Sequence, residues 1–121
     1  MAIVLNHMIV PSHDRERAAQ FFARIFGLSV GERGYFTPVK VNGQLTLLFD
    51  NHAAFDVHHY AFHVEEAEFD AIFRRIKQEG IAYGSSPGAP ENGRLNDWGG
   101  GRGVYFRDPD GHLLELMTVA Q

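Results

Sequence analysis

The stretch GVYFRDPDGHLLELMTV, residues 103–119, decides how the rest of the chain is read. Asp108-Pro109-Asp110-Gly111 has the composition of a turn. The flanking segments, 103–106 and 112–119, alternate as paired strands do. In the second of these strands Glu115 stands between Leu114 and Leu116, on the face of Leu113 and Met117. Burying a carboxylate without a partner is costly or forces it to keep its proton. Something should therefore compensate Glu115. A divalent cation would do so, as would an arginine such as Arg102 or Arg107 across the hairpin.

Working outward, this hairpin closes a unit that begins with a strand at 57–64. Phe69, Ile72, Phe73 and Ile76 follow at i, i+3, i+4, i+7, one buried helix face. Gly80 ends that helix, 81–84 is a short strand, and 85–101 is a long loop rich in Gly, Pro and Asn. The first half has the same order. A strand at 3–10 precedes Ser12, a candidate N-cap with Glu16 behind it. Ala18, Phe21, Phe22 and Ile25 form a helix face that Gly27 terminates. Strands at 35–41 and 44–50 follow, joined by Asn42-Gly43, a two-residue hairpin signal, and Pro38 suggests an edge or bulged strand. The two helix faces are offset by 51 residues. The pattern predicts an α+β fold built from two βαβββ repeats in one domain, 1–121, with units 1–50 and 57–121.

Two histidines join Glu115. His7 lies in the first strand, between Leu5 and Ile9 on its own face, and His59 lies in the matching strand of the second half, 52 residues on. If the repeats pack with pseudo-symmetry, two imidazoles and one carboxylate converge as a facial triad. Such a set holds Fe, Mn, Zn or a similar divalent ion and leaves positions open for substrate.

Composition excludes several classes. The chain has 121 residues, 45% hydrophobic and 21% charged, with a net charge of −4 and no cysteine. Disulfides and thiolate chemistry are absent, and an acidic chain has no electrostatic footprint for nucleic acid. No apolar run is long enough to span a membrane. MAIVLNHMIV is no signal peptide, so a cytoplasmic protein is expected.

These residues resemble the vicinal oxygen chelate superfamily, the glyoxalase, bleomycin-resistance and extradiol-dioxygenase group. The resemblance rests on Leu5-Asn6-His7, Ala19-Gln20-Phe21-Phe22, His58-His59-Tyr60-Ala61-Phe62 and, above all, the segment Asp108-Pro109-Asp110-Gly111-His112-Leu113-Leu114-Glu115. It implies an eight-stranded, cupped mixed sheet, with His7, His59 and Glu115 as metal ligands (Fe, Mn, Zn or Ni). It also implies a homodimer in which His7 of one chain meets His59 and Glu115 of the other. The function implied is that of a metal-dependent enzyme acting on a small oxygen-rich molecule, dioxygenase-like or thiol-transferase/lyase-like. The alternative is a non-catalytic, drug-binding protein of the bleomycin-resistance kind.

Absences narrow the branch. Glyoxalase-type isomerases of this superfamily add a carboxylate on the last strand of the first unit, where this chain reads Leu45-Thr46-Leu47-Leu48-Phe49. Fosfomycin-modifying thiol transferases carry a threonine where this chain has Ile9, and their arginine beyond the last strand has no counterpart before Gln121. Tyr105, ten residues before Glu115, matches a tyrosine of the extradiol dioxygenases and a substrate-contacting one of the thiol transferases. It is the first candidate catalytic and substrate-binding residue. The dioxygenases' second-sphere histidine near 47–49 is missing. His63, with the parity of His59, is a candidate proton shuttle, or else a strand-end residue near solvent. Trp98 and Arg94, in the loop 85–101, are candidates to close over an aromatic or anionic substrate. His13, His58 and His112 are expected to stay outside the site, and His52, in the linker 51–56, could reach the cleft mouth although nothing in the sequence requires it.

Overall fold

The computed structural model describes residues 2–121, which form two compact units, one ending at Asp56 and one beginning at Val57. The first contains β1 (His7–Ser12), α1 (Arg15–Phe26), β2 (Thr37–Lys40) and β3 (Thr46–Asn51). Its sheet runs β1-β3-β2, with β1 parallel and β2 antiparallel to β3. Val30 adds a single antiparallel bridge to Val39. α1 buries Ala18, Ala19, Phe21, Phe22, Ala23 and Ile25.

Four local expectations change here. Ser12 does not cap α1. It belongs to β1 and is buried, with its hydroxyl donating to the Asp50 carbonyl, while Asp14 caps by accepting from the Arg17 amide at 3.2 Å. Either residue satisfies the preference for a short polar side chain at an N-cap, and the extension of β1 decides between them. β1 starts at His7 rather than at residue 3. Thr46 donates to the Asn6 carbonyl, and β3 offers no residue before Thr46 to pair with what precedes it. His7 is thus an exposed strand end, and Leu5 and Ile9 are exposed with it. The β2–β3 connection is not a type I′ turn, because Gly43 does not take positive φ. The Asn42 side chain holds it instead, accepting from the amides of Gln44 and Leu45 at 2.7 and 2.9 Å. The strand that would complete βαβββ in this unit is reduced to the Val30 bridge.

The second unit contains β4 (His59–His63), α2 (Glu66–Gln78), β5 (Tyr83–Gly84), β6 (Gly103–Arg107) and β7 (Leu113–Met117), in the sheet order β4-β7-β6-β5. With Val30 standing for β5, this is the topology of the first unit repeated: β4 matches β1, β7 matches β3 and β6 matches β2. Phe69, Ile72 and Ile76 of α2, with Val104, Phe106, Leu114 and Leu116, are buried. No helix among the described residues is long and apolar enough to cross a membrane.

The segment 85–101 is more ordered than its composition suggests. Asn92 accepts from the amides of Ser85 and Arg94 and donates to the Ser85 hydroxyl. Asn96 donates to the Ser85 carbonyl and accepts from the Trp98 amide. Trp98–Gly100 forms a tight turn in which Gly99 and Gly100 take the left-handed conformation, at φ +66 and +81. The segment passes so close to β5 that a Cβ on Gly84 would lie 2.0 Å from the Ala89 carbonyl oxygen. Gly84→Ala must displace backbone, and its unfolding free energy should fall by roughly 2–3 kcal/mol in urea titrations.

Candidate metal centre

The site grows from the register of three strands. Ala61 pairs with Glu115 across the parallel β4–β7 ladder, and Tyr105 pairs with Glu115 across the antiparallel β6–β7 ladder. Paired residues share a sheet face, and His59, two residues before Ala61, shares it too. His59 Nε2 lies 3.0 Å from Glu115 Oε1. The Glu115 side chain is 4% exposed and that of His59 is 44% exposed, so the pair has one dry member and one open to solvent. The His59 and Tyr105 rings are 5.7 Å apart, and Trp98 packs edge-on to Tyr105 at 5.9 Å. Imidazole, phenol and indole thus form a continuous wall beside the carboxylate.

Glu115 is only half satisfied. Its Oε2 is buried and has no hydrogen-bond partner. The arginines that could have neutralised it are engaged elsewhere. Arg102 binds Glu66 and Asp70 of α2, at 2.6 and 2.8 Å, and Arg107 donates to the Gly111 carbonyl. Burial first, and then the neighbouring Glu115, hold the Tyr105 phenol above its ordinary pKa, so Tyr105 is a hydrogen-bond donor at neutral pH.

The donor set fits a divalent ion. Imidazole nitrogen and carboxylate oxygen are its usual ligands, and two donors at right angles, each about 2.1 Å from one ion, stand about 3 Å apart. A buried carboxylate with an orphaned oxygen has the charge that such an ion would neutralise.

His7 belongs to the other unit. Its Nδ1 is 2.8 Å from Asn6 Oδ1. A carboxamide oxygen only accepts, so Nδ1 carries the proton and Nε2 keeps its lone pair, as a metal-ligating histidine with an outer hydrogen bond does. Asn6 was not singled out from the sequence for this role. Among the described residues of one chain, no group of three His, Asp or Glu side chains is arranged to hold an ion. The repeat also locates the missing fourth carboxylate. β3 and β7 begin at Thr46 and Leu113, partners of the equivalent residues His7 and His59, so the counterpart of Glu115 is Leu48.

His63 shares the face of His59, and its Nε2 is 3.1 Å from the Thr118 carbonyl oxygen. Arg94 is exposed in the segment that carries Trp98. His58, Tyr60 and His112 form an aromatic cluster on the opposite face, with ring centroids 5.5–6.1 Å apart. The Tyr60 hydroxyl is buried without a partner, and burial, followed by Asp108, pushes its pKa up to about 12. In the first unit, His13 packs on Phe55 and His52 pairs with Asp50.

Residues 4–116 match the family model of the Glyoxalase/Bleomycin resistance protein/Dioxygenase superfamily, and the chain belongs to that superfamily. It is 32% identical to metallothiol transferase FosB of Shouchella clausii, covering 94% of this chain and 79% of that protein. It is 28% identical to glutathione transferase FosA of Serratia marcescens, covering 93% of this chain and 78% of that one. Among solved structures it is similar to the oxidase ChaP-H2, with a TM-score of 0.93 and 42% identity, covering 99% of this chain and 96% of that one. These relatives are enzymes, and the α+β fold of βαβββ modules is shared with structural neighbours of lower identity.

Asn96 fixes the segment that brings Trp98 onto Tyr105. Asn96→Ala removes two hydrogen bonds, which should cost roughly 1–3 kcal/mol. Because Trp98 is the only tryptophan, its fluorescence should move to longer wavelength as the indole leaves Tyr105.

Proposed function

From its place in that superfamily and from the paired His59 and Glu115, we propose that the protein is a metal-dependent enzyme acting on a small oxygen-rich molecule, with residues 1–121 working as one domain. His59 and Glu115 of one chain, with His7 of a partner chain, are the ligands of a divalent ion (Fe, Mn, Zn or Ni). The observation that carries this reading is the buried Glu115 Oε2, which makes no hydrogen bond although His59 occupies the other oxygen. A shared site in a homodimer is supported by His7, which is exposed beside the exposed apolar residues Leu5 and Ile9.

When bound, the ion supplies Lewis acidity to a substrate oxygen. The chain supplies the rest. Tyr105, kept protonated, donates a hydrogen bond to an oxygen of the substrate. Trp98, edge-on to Tyr105, gives the site an apolar side for an aromatic substrate, and Arg94 meets an anionic group at its edge. His63 is the proton acceptor. Its Nε2–H is spent on the Thr118 carbonyl, which leaves the Nδ1 lone pair available.

Oxidation of a planar substrate is favoured over thiol transfer. The supports are the 42% identity to an oxidase, Ile9 where the thiol transferases carry threonine, and the aromatic wall. Thiol transfer is the second reading, because similarity to metallothiol transferase FosB spans almost the whole chain. A purely sequestering protein would have no use for a half-satisfied buried carboxylate beside an imidazole.

Wild-type protein dialysed against Co(II) should retain about one ion per chain, and His7→Ala, His59→Ala and Glu115→Ala should each lose it by elemental analysis. If the site is shared, unfolding and co-refolding His7→Ala with Glu115→Ala restores about a quarter of the wild-type content, since only mixed dimers carry one intact site. Recovery of no metal by the mixture would place all ligands in one chain. Full retention by Glu115→Ala would remove the centre altogether. In the Fe(II) form, dioxygen uptake with an aromatic ortho-diol supports the first reading, and consumption of thiol with fosfomycin supports the second.

A further inference from the structure

The geometry points to His112 as the residue that selects which of two adjacent histidines faces Glu115. The chain carries His58 and His59 in tandem, and in a strand only one of them can point to the site face. A slip of one residue between β4 and β7 would turn His59 to the opposite face and present His58 instead. A hairpin would fix such a register through its turn. β4 and β7 are parallel, however, and α2, β5 and β6 intervene, so no turn connects them.

The lock is made at the first residue of β7 and the one before it. Leu113 N–H donates to the His58 carbonyl at 2.9 Å, and His58 N–H donates to the ring Nδ1 of His112 at 2.9 Å. Both backbone groups of residue 58 are therefore gripped by consecutive residues. One of those grips comes from a side chain, where an ordinary ladder would use a carbonyl. A side-chain acceptor occupies a single point in space, so it recognises one register and rejects its neighbours. Because Nδ1 accepts, it is unprotonated and the ring proton sits on Nε2.

His112 is well placed to act as a fixed point. It is 0% exposed. Its own amide donates to Asp108 Oδ1 at 2.8 Å, and its carbonyl accepts from the Asp108 amide at 3.0 Å. Gly111 supplies the left-handed residue of the turn, with φ +88. The rings of His58 and Tyr60 pack against it at 5.7 and 5.5 Å. His112 lies three residues from Glu115 and hence on the opposite face of β7. It is a positioning residue, acting through the backbone of residue 58.

The consequence for metal binding rests on the proposed centre, but the register itself does not, and the test separates the two. Full-length protein labelled with 15N-histidine and free of metal is compared as wild type, His112→Asn and His112→Phe. Asparagine places a carbonyl oxygen where Nδ1 stands, whereas phenylalanine keeps a ring and removes the acceptor. Wild type should show scalar coupling between the His58 amide nitrogen and His112 Nδ1 across the hydrogen bond. The His59 Nε2–H signal, shifted by its carboxylate partner, should persist in His112→Asn and vanish in His112→Phe. Co(II) affinity should fall about tenfold or more in His112→Phe and be largely recovered in His112→Asn, as outer-shell changes do.

Wild-type His59 signals in His112→Phe would overturn the inference. So would equal impairment of both variants, or absence of the coupling in wild type. If His112→Phe does not fold, the wild-type coupling and the His112→Asn spectrum decide. If wild type binds no Co(II), the metal centre fails while the His59 signal still decides the register.

Discussion

Glu115 is an acidic side chain in a strand that is otherwise apolar and dry. One of its oxygens meets His59, and the other is buried without a hydrogen bond, with the Tyr105 phenol beside the carboxylate. Desolvation of a carboxylate is among the larger penalties a fold can carry, and a single imidazole contact offsets only part of it. Much of the second unit is arranged around that residue. The parallel register brings His59 to it, the antiparallel register brings Tyr105, and Tyr105 in turn seats Trp98. Arginines that could have quenched the charge are held by α2 or by the turn before β7. An isolated stabilising salt bridge would use those arginines. A site for a divalent cation would keep them away.

The duplicated topology makes the asymmetry of the two units informative. Matching strands carry His7 and His59 at matching ends, so the imidazoles follow the repeat. The carboxylate does not, since Leu48 stands where Glu115 has its counterpart. In the proposed centre, His7 on an exposed strand end of one unit and His59 with Glu115 of the other would be three protein ligands that leave positions open.

Much of this was legible in the sequence, because strong signals were local. Helix faces at i, i+3, i+4, i+7 identified both helices, and the apolar neighbours of Glu115 marked it as out of place. Other features depend on tertiary pairing and were not legible. Ser12 and Asp14 are equally good caps until β1 is extended alongside β3. Residues 3–6 have strand propensity but no partner strand. Asn42-Gly43 reads as a two-residue turn, yet the Asn42 side chain builds a different one. The segment 85–101 reads as loose because Gly and Pro abound, whereas two asparagines, Asn92 and Asn96, stitch it down. His112 was set aside for its parity, and parity is also why it can hold the neighbouring strand without entering the site.

X-ray absorption at the cobalt edge of Co(II)-loaded protein tests directly the proposed convergence of imidazole and carboxylate on one ion. Multiple scattering from two imidazole rings is expected, with the remaining ligands oxygen. A spectrum with oxygen ligands and no imidazole scattering would contradict it.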